Sequence, residues 1–158
     1  MRKLDQTSFV SVRQLDVGDI DGAAAAGIRM IVNNRPDGEE PGQPSSAEIE
    51  AAALAAGLDY RHIPIAGGFP PDRIEAMAKA LGQGPVLAFC RSGTRSIVTW
   101  AFGQMMHGHQ SRDELIDLGR EGAEFLLVEA ERGFVGFDFV ADFFDQGATA
   151  LELGFDFL

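Results

Sequence analysis

The chain has 158 residues, 46% apolar and 23% charged, with a formal net charge of −11. That is the length of one domain with a real core, and its negative charge argues against nucleic acid or an anionic membrane surface as a partner. No apolar run nears the ~20 residues of a membrane helix, and the start "MRKLDQTSFV" lacks the apolar stretch of a secretory signal, so a cytoplasmic protein of bacterial type is expected.

In chain order, three joints run from an alanine-rich helical pattern through glycine into an apolar extended pattern: "AAAAGIRMIVN", "ALAAGLDYRHIPI" and "KALGQGPVLAFC". Glycine just past a helix end takes the left-handed conformation that closes the last turn. The runs that follow, residues 28–32, 60–65 and 85–89, have the short apolar character of buried strands. Repetition of this unit predicts an α/β fold, a mostly parallel sheet flanked by helices. Between the first two strands lies the longest polar segment, "NNRPDGEEPGQPSS", a functional loop or a plain surface one. A capping box at Ser45–Glu48 opens a helix to about Ala56. "FPPDRIEAMAKAL" spaces Ile74, Met77, Ala78 and Leu81 at helical intervals. Residues 97–106 are apolar on nearly every side, which predicts a buried helix, and "SRDEL" at residues 111–115 reads as another capped start. Beyond residue 122 the character changes. Residues 121–158 hold nine acids and one base, and eight of the twelve phenylalanines follow residue 122. A domain over residues 1–122 is expected, followed by an acidic, Phe-rich extension, residues 123–158, that packs on the domain or mediates a homo-oligomer.

The single cysteine, Cys90, sits where the third strand meets the buried helix, in "FCRSGTRS". It forms no internal disulfide and needs no oxidising compartment. A short turn entering a helix amino end gathers unpaired N–H groups and a positive dipole end. Such a concavity binds an anion or stabilises a thiolate. Gly93 lets the backbone turn, Arg95 carries the planar fork that grips an anion, and Ser92, Thr94 and Ser96 hold the loop or bond the sulfur. Arg91 lines the entrance or points to solvent. A buried inert cysteine is the bland alternative, but it does not call for glycine, two arginines and three hydroxyls in the next six positions. The parts are those of an activated nucleophile.

"CRSGTRS" resembles the active loop of the cysteine-phosphatase and rhodanese groups. The wider run "VNNRPDGEEPGQPS…YRHIPI…VLAFCRSGTRS" resembles one bacterial family, the beta-lactamase-hydrolase-like domain, over about residues 9–122. The resemblance implies a dual-specificity-phosphatase-like fold and either phosphatase or sulfur-transfer chemistry at Cys90 and Arg95. It also implies a second anion contact at Arg35 and a possible acid at Asp37 or Glu39, which are solvated turn residues in the alternative reading.

Loop length separates the two chemistries. Tyrosine-type phosphatases place five residues between cysteine and arginine, whereas here four, residues 91–94, intervene, as in single-domain rhodaneses. One N–H fewer makes a smaller cradle and a poorer seat for phosphate. Ester cleavage also benefits from a general acid. Where the resembled phosphatases carry an aspartate after "RHIPI", this chain has Ala66-Gly67-Gly68-Phe69, and the nearest acid, Asp72, reads as a helix-capping residue. The histidine that usually precedes the phosphatase cysteine is replaced by Phe89. Sulfur transfer from thiosulfate expels sulfite and needs no proton donor. The sequence therefore predicts a Cys90 persulfide, charged by a small anionic donor such as thiosulfate or glutathione persulfide and discharged to a thiol or cyanide. The alternatives are a phosphocysteine phosphatase and a non-catalytic sulfur carrier or anion-binding module. No metal or organic cofactor is called for: His107-Gly108-His109 reads as a helix-terminus turn, and His62 as a strand residue.

Overall fold

The computed structural model describes residues 1–106. Residues 1–107 form one compact unit. His107 and His109, the capped start at Ser111, the boundary at residue 122 and the Phe-rich extension all lie outside the described residues.

Among the described residues, five strands and four helices follow one another: β1 (Arg2–Lys3), β2 (Ser8–Val10), a 3₁₀ turn (Val17–Asp19), α1 (Ile20–Ala25), β3 (Met30–Asn33), α2 (Ser46–Ala55), β4 (Asp59–His62), α3 (Pro71–Leu81), β5 (Val86–Phe89) and α4 (Thr94–Met106). They form one sheet in the order β1-β2-β5-β3-β4. Only β1 runs antiparallel; β2, β5, β3 and β4 are parallel neighbours. The α/β class read from the helix–glycine–strand joints is what the chain adopts. The three expected strands are present, each displaced by one to three residues at an end. The β1–β2 hairpin was not foreseen, because two- and three-residue strands are too short to show a period.

The two central strands β3 and β5 are buried along their whole length, whereas edge strand β4 exposes Asp59 and Arg61, and alternation divides the side chains between two layers. Ile31, Tyr60, Leu87 and Phe89 face α1 and α2, where they pack with Ile20, Ile49 and Ala53. Met30, Val32, Val86 and Ala88, of opposite parity, are equally buried. α3 and α4 pack against each other, and against β3 and β5 respectively. Gly103 lets α4 approach α3 closely: a Cβ there would stand 3.3 Å from the Ala78 nitrogen. α4 is buried on every side from Ser96 to Gln104, as its composition predicts. In α3 the helical spacing holds for Ile74, Met77 and Ala78, but the fourth buried residue is Ala80, not Leu81.

One carboxylate fixes α4 to the sheet edge. Asp5 accepts from the N–H groups of Thr7 and Ser8 (2.7 Å each), from Trp100 Nε1 (3.1 Å) and from Gln104 Nε2 (2.9 Å). Burial pushes the Asp5 carboxyl upward, but these bonds outweigh it and hold the group below its ordinary value.

The capping box opens α2 as predicted: Ser45 Oγ accepts from Glu48 N, while Glu48 Oε2 accepts from Ser45 N at 2.8 Å. Replacing Ser45 by alanine removes both the acceptor and the hydroxyl that Glu48 binds. Ser45→Ala is expected to lower unfolding stability by about 1 kcal/mol, read from urea denaturation. A change under a few tenths would show that the cap contributes nothing.

Candidate active site

The parallel sheet brings four loops to one edge. Ladder-type hydrogen bonds continue one step past the strands: Ser11 N donates to Ala88 O (2.9 Å), Asn34 N to Phe89 O (2.8 Å) and Ile63 N to Asn33 O (2.8 Å). The chain ends of β2, β3, β4 and β5 are thus held level, and their loops meet at the carboxyl edge, where open α/β sheets bind ligands.

Cys90 is the first residue after β5 and Thr94 opens α4. The helix begins three residues before the apolar run at 97–106 that predicts it, so the turn comprises only residues 90–93. The Gly93 N–H donates to Cys90 Sγ at 3.1 Å. Gly93 has φ +90°, and a Cβ there would stand 2.8 Å from the Ser11 carbonyl oxygen, backbone that does not yield. Glycine is therefore required both by the turn and by the close approach of the β2 loop. Ser92 Oγ and Thr94 Oγ1 pair at 3.1 Å, which braces the turn. Neither is bonded to the sulfur, and Ser96 Oγ, fully buried, has no hydrogen-bond partner. Cys90 is 1% exposed.

Arg95 lies on the first turn of α4 and reaches three groups. Its Nη1 donates to Ile65 O (3.0 Å) and to Glu39 Oε1 (2.6 Å), and its Nη2 donates to Glu39 Oε2 (2.9 Å). It also interacts with Cys90. Burial alone would lower the guanidinium, but the bond to Glu39 and the charges of Cys90 and Glu39 prevail and raise it above its ordinary value. Arg95 is held charged.

Arg35 is the unexpected centre of the long loop. It is 2% exposed, and each of its three nitrogens donates one hydrogen bond, to Glu39 Oε2 (Nε, 2.9 Å), Gln14 Oε1 (Nη1, 2.9 Å) and Glu40 Oε2 (Nη2, 2.7 Å). Glu40 turns its other oxygen to Arg91 Nη2 at 2.6 Å. Two adjacent carboxylates therefore bridge three arginines: Glu39 joins Arg35 to Arg95, and Glu40 joins Arg35 to Arg91. Buried charge is tolerated only when paired and hydrogen-bonded, and this network meets that condition. The bond from Arg95, countered in part by burial and reinforced by Arg35, lowers the Glu39 carboxyl below its ordinary value. Arg35, bonded first, and the charge of Arg91 do the same for Glu40.

The remaining acids are occupied elsewhere. Asp37 accepts from Ser46 N (2.7 Å) and Ser46 Oγ (2.8 Å) at the start of α2, and these bonds lower its carboxyl. Asp72 is well exposed in the first turn of α3, 3.4 Å from Arg73 Nε, after an N-cap taken by Pro70. The structure thus brings Cys90, Gly93, Arg95, Glu39, Arg91 and Arg35 together, and places Asp37 and Asp72 at helix starts. His62 Nε2 lies 2.9 Å from Arg35 O. A carbonyl only accepts, so that nitrogen carries the proton. Sequence reasoning missed Glu40, Gln14 and the carbonyls of Ser11 and Ile65. Glu40 was legible as half of an acidic pair; Gln14 and the carbonyls carry no local signal.

A parallel sheet with a cysteine turn after a central strand, an arginine on the following helix and loops converging on both defines a cysteine-phosphatase-type α/β domain. Residues 1–107 match the family described as beta-lactamase hydrolase-like protein, phosphatase-like domain, and the chain belongs to that family. A beta-lactamase hydrolase-like protein of Agrobacterium fabrum is 39% identical over 110 residues, 66% of this chain but 25% of the relative; the chain spans about a quarter of that protein's length. A crystal structure from Neisseria meningitidis, described as a "putative phosphatase", superposes with TM-score 0.64 at 35% identity, covering 75% of this chain and 85% of that one. Tk-PTP shares the fold at TM-score 0.59 and 21% identity, covering 83% and 94%. The family model and the Neisseria structure support a phosphatase-like domain, and Tk-PTP shares its fold; none of their descriptions names sulfur transfer.

Because Glu39 titrates below its ordinary value of 4.5 in the fold, its pairing stabilises the protein above that pH and is lost as pH falls through the depressed value. The difference in melting temperature between wild type and Glu39→Gln is expected to be steady near neutrality and to shrink below pH 4.5. A gap that widens on acidification contradicts the pairing.

Proposed function

We propose that the domain transfers a group from a small anion through a covalent adduct on Cys90, and that the adduct its loop fits best is a persulfide. The observation that carries this reading is the four-residue turn. Residues 90–93 offer one N–H, that of Gly93, to the sulfur, and the arginine that would face an oxyanion follows directly on the helix. In the forward step the Cys90 thiolate attacks the outer sulfur of the donor. An Sγ–S bond forms, the donor's S–S bond breaks, and the departing anion, sulfite in the case of thiosulfate, leaves with the electron pair. Arg95 and the amino end of α4 stabilise the negative charge on either side of this step. An acceptor thiolate or cyanide then attacks the outer sulfur, and Cys90 returns as thiolate. No proton donor is required, in keeping with carboxyls at Asp37, Glu39 and Glu40 that are held in their ionised forms.

The second reading, a phosphohydrolase with a phosphocysteine intermediate, has the support of the family description and of the structural neighbours, which favour it over sulfur transfer. In that reaction Sγ attacks phosphorus, the ester oxygen leaves with the electron pair and must be protonated, and water releases phosphate. Glu39, bonded to Arg95, stands nearest to that role, but the two arginines that hold it oppose its protonation. The ionised state of these carboxyls supports the reading in which the leaving group needs no proton.

Steady-state assays separate the readings. Thiosulfate and cyanide are expected to give thiocyanate, with a loss of at least about a hundredfold in Cys90→Ser, the scale of removing a covalent nucleophile. Hydrolysis of p-nitrophenyl phosphate that depends on Cys90, with no thiocyanate formed, would establish the phosphohydrolase instead.

A further inference from the structure

Arg95 is held by partners that leave one edge of its guanidinium open. Nη1 donates to Ile65 O at 3.0 Å and to Glu39 Oε1 at 2.6 Å, and Nη2 donates to Glu39 Oε2 at 2.9 Å. An arginine has five N–H groups in a fixed plane. The Nε–H and the second Nη2–H therefore remain, a parallel pair along one side. Arg95 also interacts with Cys90 by hydrogen bonding and charge. Glu39 thus shares the guanidinium with whatever sits at the sulfur and does not compete with it for donors.

The grip of Glu39 is as firm as its own support. Its side chain is 30% exposed, and Arg35 Nε holds its Oε2 from behind at 2.9 Å. Arg35 is in turn anchored from three directions. Its N–H donates to Asn33 Oδ1 on β3 at 2.9 Å, and its carbonyl accepts from His62 Nε2 on β4 at 2.9 Å. Its Nη1 donates to Gln14 Oε1, on the loop after β2, at 2.9 Å. Gln14 is the uncharged acceptor on this guanidinium, and its own amide nitrogen donates to Leu15 O at 2.8 Å. Because Arg35 is 2% exposed, an Nη1 deprived of Gln14 has little access to water and has to turn to another acceptor. The acceptors at hand are Glu39 and Glu40, so the turn moves Glu39.

Resting on the reading of Arg95 as the substrate's anion contact, we propose that Gln14 is a remote positioning residue, which through Arg35 and Glu39 sets the plane in which Arg95 presents its open pair of N–H groups to an anion at Cys90. A planar fork gains from two acceptor oxygens only when they lie in register with it. The relay therefore governs how well the site receives an anionic reagent, and leaves its response to a neutral one unchanged.

Alkylation of Cys90 by iodoacetate and by iodoacetamide, at one pH, reads this relay. The reagents are of nearly equal size and meet the same thiolate, so the ratio of their rates cancels thiolate fraction and access and leaves the anion contact. Arg95→Met supplies the ratio without that contact, and wild type is expected to lie well above it. Gln14→Met keeps the charge of the site and removes the acceptor; it is expected to lower the ratio about fivefold, within the scale of one lost hydrogen bond. Should it not fold, Gln14→Asn, polar but a methylene too short, is read the same way. Glu39→Asp keeps its charge and loses the reach to span both arginines, and is expected to lower the ratio as well. An unchanged or higher ratio in the Gln14 variant, with a lower melting temperature alone, makes Gln14 structural and overturns the proposal while the Arg95 reading stands. An unchanged ratio in Glu39→Asp breaks the relay at its middle and overturns it too. A wild-type ratio no higher than that of Arg95→Met removes the Arg95 reading, and the proposal with it.

Discussion

Everything at this site depends on the hydrogen bonds that carry the parallel ladders one residue beyond the strands. Ser11 to Ala88, Asn34 to Phe89 and Ile63 to Asn33 fix the heights at which four loops leave the sheet. β5 lies between β2 and β3, so the turn that follows it is confined on both sides. That confinement explains why Gly93 has no room for a side chain against Ser11, and why the arginine on α4 meets a glutamate 56 positions earlier. A parallel sheet is what makes such a meeting possible, because all its chain ends point the same way.

Electrostatics completes what the backbone begins. Three arginines around one thiol would repel one another and destabilise the fold if left unpaired. Glu39 and Glu40 neutralise most of that charge from a single loop, with Arg35 as the buried member on which both are fastened. The resting site is therefore nearly balanced in charge. The network also joins the long loop to the chemistry: the "RPDGEE" segment is a turn by composition and a set of counter-ions by placement.

Much of this was legible in the amino-acid pattern, and the rest was hidden for identifiable reasons. Strands β3, β4 and β5 announce themselves through glycine-ended helices, and Ser45 through its capping box. The cysteine turn stands out because one thiol, one glycine and two arginines fall within six positions. α4 starts three residues ahead of the apolar run that signals it, since nothing in "SGTRS" distinguishes a turn residue from a first helical one. The pairing of Arg95 with Glu39 was not readable, because charge partners across different loops leave no spacing rule. The same holds for Gln14, whose only distinction is its contact with Arg35. The choice between phosphoryl and sulfur transfer rests on a count of residues in one turn, while the names of the relatives lean the other way.

Intact-mass analysis of the purified protein after brief exposure to thiosulfate addresses this choice directly. A gain of one sulfur atom is expected, reversed by a thiol reductant and absent in Cys90→Ser. Protein that stays unmodified with thiosulfate, yet traps a Cys90-linked phosphoryl group from an aryl phosphate, would contradict it.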